Sequence, residues 1–348
     1  MTGFENCTVL VVEDHMEIRT LLASVLTALG VRNVVVANNG AQAIEIMTQM
    51  RLRPDLAGVT EIDAIVSDWV MDNIDGATLL RWVRRHKDSP DRFMPFLMLS
   101  ANADADRVEL ARDLGASDFL AKPFTAASLA AHLVIAMTDD RHYVKVGAYF
   151  GPDRRKRIED VPAEKRDSQT PYTEKGVRYY PPPRSKRRKV SRDFMPAKTD
   201  LETVEMELEA CTEDFRDWME AYFRRLDEAC AHCAGADPKQ RVRPFNDINA
   251  ISHEMRGQGG MFGYPLITDV ARSLFGLTHL NKDRSDGCLK LIRNHIDTMK
   301  AIMHENVEGD GGEIGMELVA ELRRANTLFL ATTSVEGAVS RDFEKANR

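Results

Sequence analysis

The chain has 348 residues, 43% hydrophobic and 29% charged, with a net charge of −7. That length accommodates about two domains, and that mix belongs to soluble globular proteins rather than disordered or membrane-embedded ones. No apolar run reaches the roughly 18 residues of a spanning helix, and residues 1–7 lack the basic start and apolar run of a signal peptide, so a cytoplasmic location is expected.

Val9-Leu10-Val11-Val12 is a continuous apolar run, as a parallel strand covered on both faces requires. The helix expected over 16–29 carries Ile18, Leu21, Leu22, Val25, Leu26 and Leu29 on one side. The alternation then repeats. Val34-Val35-Val36 precedes a helix over 41–50, Ala64-Ile65-Val66 leads to Asp68 and a helix over 77–86, and Phe96-Leu97-Met98-Leu99 leads to Ser100. A helix over 104–114, a strand at Phe119-Leu120-Ala121 and a helix over 126–137 complete five strand-helix repeats. Short joints between such repeats specify a doubly wound parallel α/β sheet for residues 1–140.

Periodicity then lapses over 141–199. Arg154-Arg155-Lys156-Arg157, Pro181-Pro182-Pro183 and Lys186-Arg187-Arg188-Lys189 read as a solvated, partly polyproline flexible linker, and residues 151–192 alone carry a net +8. Tyr179 and Tyr180 among these charges keep a nucleic-acid contact as the rival reading. Residues 200–332 read as helices only, an all-α bundle, with 333–348 as a tail. Leu201, Val204, Leu208, Cys211, Phe215, Trp218, Tyr222, Leu226, Ala229 and Cys233 recur at steps of three and four. The same stripe over 201–233 permits a coiled-coil homodimer. Further helices are expected over 246–262, 265–278, 287–305 and 315–330. The five cysteines are scattered, and Cys230-Ala-His-Cys233, although metal-like in spacing, reads as one buried helix stripe.

In an open parallel sheet the functional residues gather beyond the carboxyl ends of the strands. Glu13 and Asp14 end the first strand, Asp68 the third, Ser100 the fourth, and Lys122 follows the fifth. Three carboxylates at one edge repel one another, and a hard divalent cation, magnesium first, relieves them. Asp68 is then the nucleophile for a phosphoryl group, with Ser100 and Lys122 neutralising its oxygens.

Val-Val-Glu13-Asp14, Asp68-Trp-Val-Met-Asp-Asn-Ile-Asp75-Gly76, Leu-Ser100-Ala101 and Lys122-Pro123-Phe124 together resemble the receiver domain of two-component response regulators. The resemblance, over about residues 6–138, implies a flavodoxin-like fold with strand order 2-1-3-4-5. It also implies a metal site of Glu13, Asp14, Asp68 and the Val70 carbonyl, a cis Lys122-Pro123 bond, and a switch pair of Ser100 and Phe119. Asp72 departs from it, standing where most receivers have proline.

In the second region, Ile248, Ile251, Met255 and Phe262 are placed on the buried side of one helix, turning His253 outward with Arg256 beside it and Gly257 clearing its face. His253, Arg256, Gly257, Gly259 and the Phe262-Gly263 pair resemble the histidine phosphotransfer (Hpt) motif, which implies a second phosphoryl carrier at His253. His279, His295 and His304 have no such setting and read as surface or packing residues.

Together these readings give a phosphorelay protein, a phosphoryl carrier rather than a turnover enzyme. Its partners would be a sensor histidine kinase or other phosphohistidine donor, and an upstream or downstream receiver. The alternative is a phosphorylation-switched regulator whose helical region only binds a protein partner, or nucleic acid through the basic segment.

Overall fold

The five apolar runs all become strands, because each is short and apolar, and the first, third and fourth are buried along their whole length. The computed structural model describes residues 3–52, 61–100, 105–154, 170–174, 176–181, 189–280 and 284–346, and leaves out the side chains at 105, 207, 210–214, 280 and 332–346. Ala101 and most of the three basic or proline clusters (155–157, 182–183 and 186–188) lie outside it. The chain divides into two compact units, residues 1–210 and 211–348.

In the first unit, β1 (Thr8–Val12), β2 (Asn33–Ala37), β3 (Ala64–Asp68), β4 (Phe96–Ser100) and β5 (Asp118–Ala121) form one sheet in the order β2-β1-β3-β4-β5. Every pair is parallel. Helices α1 (Met16–Ala28), α2 (Gly40–Leu52), α3 (Gly76–Arg85), α4 (Ala105–Leu114) and α5 (Ala126–Thr138) connect and cover them. β1, β3 and β4 are buried along their whole length. The parallel register brings the carboxyl ends of β1, β3 and β4 level, with Val12 opposite Ser67 and Asp68 opposite Leu99.

Among the described residues of the segment expected as a flexible linker, several form a sheet instead. β6 (Tyr143–Val146), β7 (Tyr149–Pro152), β8 (Tyr172–Glu174) and β9 (Val177–Tyr180) make a second, antiparallel sheet in the order β7-β6-β9-β8. Aromatic burial is the reason. Phe93 packs edge-on against Tyr143 at 5.0 Å and Phe150 at 5.3 Å, and the Tyr143 hydroxyl donates to the Phe93 carbonyl at 3.0 Å. The fully buried Arg84 donates to the carbonyls of Gly115 (2.8 Å), Met94 (2.7 Å) and Arg92 (3.0 Å), and its guanidinium lies 5.5 Å from the Tyr143 ring centroid. Farther on, the Lys189 ammonium pairs at 2.7 Å with the buried carboxylate of Asp63, whose other oxygen accepts from the Thr8 N–H at 2.9 Å. Residue 189, one of the expected solvated cluster, is thus an anchor.

A helix, α6 (Lys198–Cys233), begins in the first unit and ends in the second. The second unit adds α7 (Val242–Gln258), α8 (Pro265–Leu280), α9 (Asp286–His304) and α10 (Gly312–Ala346). The expected tail from 333 is therefore a continuation of α10 as far as Ala346. α7 ends at Gln258, four residues short of expectation, and Phe262 leaves its face to stack on Phe215 of α6 at 4.7 Å. Cys230 and Cys233 are buried, and burial pushes the Cys230 thiol up to about 11, so this pair acts as apolar packing. Among the described residues no helix is long and apolar enough to cross a membrane.

Candidate functional site

The carboxyl edge of the first sheet gathers the charged residues that the sequence singled out. Glu13 is fully buried, while Asp68, Ser100 and Lys122 are 7%, 1% and 5% exposed. The Lys122 ammonium lies 2.9 Å from Asp68 Oδ1 and 2.9 Å from Glu13 Oε2, so one cation bridges two carboxylates. The second Asp68 oxygen accepts from the Val70 N–H at 3.1 Å. Lys122-Pro123 is a cis peptide.

Backbone placement is strict here. A Cβ on Gly76 would stand 2.1 Å from the Asp68 carbonyl oxygen, so only glycine permits the turn that returns α3 to β3. Asp75 caps that helix, accepting from the Thr78 N–H at 2.7 Å. The departure at Asp72 acquires a role: its backbone N–H, which a proline would lack, donates to Asp14 Oδ2 at 3.0 Å. Ser100 ends β4, paired in register with Ala121, and Phe119 packs half-buried against the core.

Two residues that the sequence reading passed over complete this edge. His15 Nδ1 sits 2.7 Å from Asp14 Oδ1 and 3.2 Å from Glu13 Oε1, and Arg19 Nη1 donates to the backbone carbonyls of Glu13 (2.7 Å) and Asp14 (3.2 Å). The available signal was their position one residue after Asp14 and within the first turn of α1. Burial opposes charge on Asp68, His15 and Lys122; it prevails at Asp68, while pairing prevails at His15 and Lys122. Burial, reinforced by the negative charge of Glu13, pushes the Asp68 carboxyl up to about 6 although Lys122 pulls it down. Burial disfavours the imidazolium of His15, yet hydrogen bonds to Asp14 and Glu13 bring it up to about 10. Lys122 is likewise held above its ordinary value, because Asp68 and Glu13 outweigh its burial.

The donor set fits a hard cation. Three carboxylates converge on one edge, and the Asp68 carboxyl is raised first by its burial and then by the negative charges of Glu13 and Asp14, a crowding that a divalent ion would relieve. Glu13, Asp14 and Asp68 would supply the oxygens; for Val70 only the N–H contact to Asp68 is established.

The second unit builds a different cluster around Phe275 of α8. The His253 ring meets Phe275 edge-on at 5.6 Å, Arg256 lies over the same ring at 4.7 Å, and His279 stacks on it at 5.0 Å. Asn249 ties α7 to α8 at this level, donating to Thr278 Oγ1 at 2.9 Å. His253 and Arg256 are half-buried while Ile248, Ile251 and Met255 on the same helix are buried. Gly259 serves packing rather than clearance at the histidine, since a Cβ there would meet the Tyr264 carbonyl oxygen at 2.8 Å. His279 thus belongs to this cluster, whereas His295 is buried elsewhere in the bundle and His304 is exposed.

Residues 9–134 match the family profile of the response regulator receiver domain. A probable chemotaxis protein CheY of Rhizobium etli is 33% identical over 131 residues, which are 38% of this chain and 92% of that protein. Chemotaxis protein CheY-3 of Vibrio cholerae is 29% identical over 125 residues, 36% of this chain and 87% of that one. A solved putative response regulator from Chloroflexus aurantiacus has 30% identity, covering 37% of this chain and 97% of its own, with a TM-score of 0.31.

Proposed function

With a receiver profile matched over residues 9–134 and a 33% identical relative covered to 92% of its length, this chain belongs to the response regulator receiver family, and on that premise we propose that it is a phosphorelay protein. Asp68 accepts the phosphoryl group, and His253 carries one to or from the receiver of a partner protein.

The observation that carries the first half is the pairing of Asp68 with Lys122 at 2.9 Å at the buried strand edge beside Glu13. Asp68 Oδ1, the oxygen beside the Lys122 ammonium, attacks the phosphorus of a phosphohistidine donor. The new O–P bond forms as the P–N bond breaks, and the donor imidazole leaves neutral after taking a proton. Lys122 and the Ser100 hydroxyl face the charge on the transferred oxygens, and the Val70 N–H holds the second carboxylate oxygen. Glu13, Asp14 and Asp68 would hold a magnesium ion, which would supply further positive charge for those oxygens.

The second half rests on the cluster of His253, Arg256 and Phe275. Arg256, three residues along α7, offers a guanidinium for phosphoryl oxygens beside the imidazole. A sensor kinase or another phosphohistidine protein would load Asp68, and a partner receiver would exchange with His253.

The test labels the full chain with a small-molecule phosphodonor and magnesium, and separately with a phosphorylated partner receiver, in wild type, Asp68→Ala and His253→Ala. The expected result is acid-stable label lost in Asp68→Ala and base-stable label lost in His253→Ala. Label absent from Asp68 overturns the whole reading. Label on Asp68 with none on His253 reduces the second unit to a binding module.

A further inference from the structure

The described cations between residues 141 and 192 fall into two sets. Arg141, Lys189, Arg192 and Arg154 each have a carboxylate, from Asp139, Asp63, Asp140 and Asp113 respectively. Lys145 and Arg178 are exposed and have no acidic partner among the described residues. They stand directly opposite each other, Lys145 on β6 and Arg178 on β9. Like charges in opposed positions of an antiparallel pair destabilise it, and an anion from outside the sheet would relieve this one. The register continues from Phe150 on β7 through Lys145 and Arg178 to Thr173 on β8, one row across all four strands and roughly 14 Å wide. Thr173 is exposed and adds a hydroxyl at one end of the row. At the other end the Arg92 guanidinium lies 3.8 Å from the Phe150 ring centroid, and its Nε has no acceptor among the described residues. Arg84, over Tyr143 of the same face, is fully buried with all its hydrogen bonds to carbonyl or hydroxyl oxygens, so its charge adds to the row without a counter-ion. Phe93 covers the Tyr143 end of this face and leaves Lys145, Arg178 and Thr173 exposed.

We infer that this row is a binding surface for nucleic acid, which it holds by the phosphates rather than by base edges. Repeated phosphates match a line of cations ending in a hydroxyl, and a guanidinium receives a phosphate through two parallel hydrogen bonds. A protein interface needs an apolar centre and a bilayer needs an apolar side chain to insert. The row offers neither, since Val146, the exposed apolar residue of β6, alternates to the opposite face of the sheet. This surface goes beyond the phosphotransfer reading and does not depend on it.

The experiment follows binding of the full chain to a fluorescein-labelled single-stranded oligothymidylate by anisotropy, over a range of about 25 to 200 mM NaCl. For wild type the logarithm of the affinity is expected to fall with the logarithm of salt at a slope of about −2, as for three phosphates at about 0.7 each. Lys145→Gln and Arg178→Gln should each flatten that slope by ~0.7 and weaken binding ~5-fold at the lowest salt. Arg178→Glu sets opposite charges across the strand pair, so it should abolish binding while its melting temperature stays at or above that of wild type. If that variant melts early, the slopes of the two glutamine variants decide. Lys198→Gln, which removes an exposed ammonium paired with Glu202, is the control expected to bind as wild type does. No binding by wild type at the lowest salt, undiminished binding by Arg178→Glu, or slopes unaltered in the glutamine variants overturns the inference. Equal weakening by Lys198→Gln, or equally tight binding to polyglutamate or to phosphatidylserine vesicles, overturns it too, because either would mark a general cationic surface.

Discussion

The acid edge of the first unit and the His253 cluster of the second are held together by different forces. At the acid edge, charged groups that are nearly or wholly buried neutralise one another, with Lys122 shared between Asp68 and Glu13 and His15 between Glu13 and Asp14. Around His253, Phe275 gathers an imidazole at its edge and a guanidinium on its face. Buried charges are costly unless paired, so the first site is intolerant of losing any member. Aromatic contacts on a half-buried face are worth about 1 kcal/mol each, so the second site degrades gradually.

The sharpest way to break this contrast is Lys122→Met. It leaves Glu13 and Asp68 facing each other without their shared cation, and breaking a buried pair in this way costs ~3 kcal/mol or more. Chemical denaturation of the full chain should register that loss at neutral pH. The loss should shrink on acidification through about 6, where the raised Asp68 carboxyl takes up a proton. A loss independent of pH would mean that the charges are not what holds this edge.

Phe275→Leu should act more mildly. The leucine keeps an apolar filler but removes the ring beneath Arg256 and beside His253, so transfer between His253 and a partner receiver should slow by ~10-fold, about 1.4 kcal/mol. Helix content by circular dichroism should stay at the wild-type level. Unchanged transfer would reduce Phe275 to ordinary packing.

The smallest effect lies in the bundle interior. His295 Nδ1 lies 2.8 Å from the Leu291 carbonyl, and Nε2 lies 3.0 Å from Ser273 Oγ and 3.3 Å from Asn326 Nδ2. Donation from Nδ1 to Leu291 leaves Nε2 as the acceptor, so the ring is neutral, and burial lowers its pKa below 6.5. The unfolded chain then binds the extra proton more readily. Stability from this group is present above pH 6.5 and lost as pH falls below it. Between pH 7.5 and 5.5 wild type should lose ~1 kcal/mol more than His295→Gln. Parallel pH profiles for the two proteins would exclude a buried neutral imidazole.

Much of the first unit was legible in the chain because parallel strands buried on both faces must be continuous apolar runs. Val9 to Val12 and Phe96 to Leu99 show this without tertiary knowledge. The second sheet was not so legible. Its strands are three or four residues long, three of them contain a charged residue, and they lie in or beside a strongly basic stretch whose composition argued for a linker. The two-residue joints, Gly147-Ala148 and 175–176, were the missed hairpin signals. In the second unit helical periodicity carried the elements, but it could not say where α7 ended. Phe262 fits the helical repeat and yet packs on Phe215 from outside the helix.

For the candidate site, the residue types and their positions at strand ends suffice to pick out Glu13, Asp14, Asp68, Ser100 and Lys122, because strand direction in a parallel sheet places them at one edge. What only the tertiary structure decided is who shares charge with whom. Lys122 is 109 residues from Glu13 in the chain, and its 2.9 Å pairing exists because β1, β3 and β5 run parallel in one sheet. His15 joins the acids through the turn into α1, and Phe275 joins His253 through the packing of α8 on α7. Periodicity reports which face of an element is buried. It carries no record of which side chains from separate elements meet there, since that depends on register, crossing and the desolvation each pairing must offset.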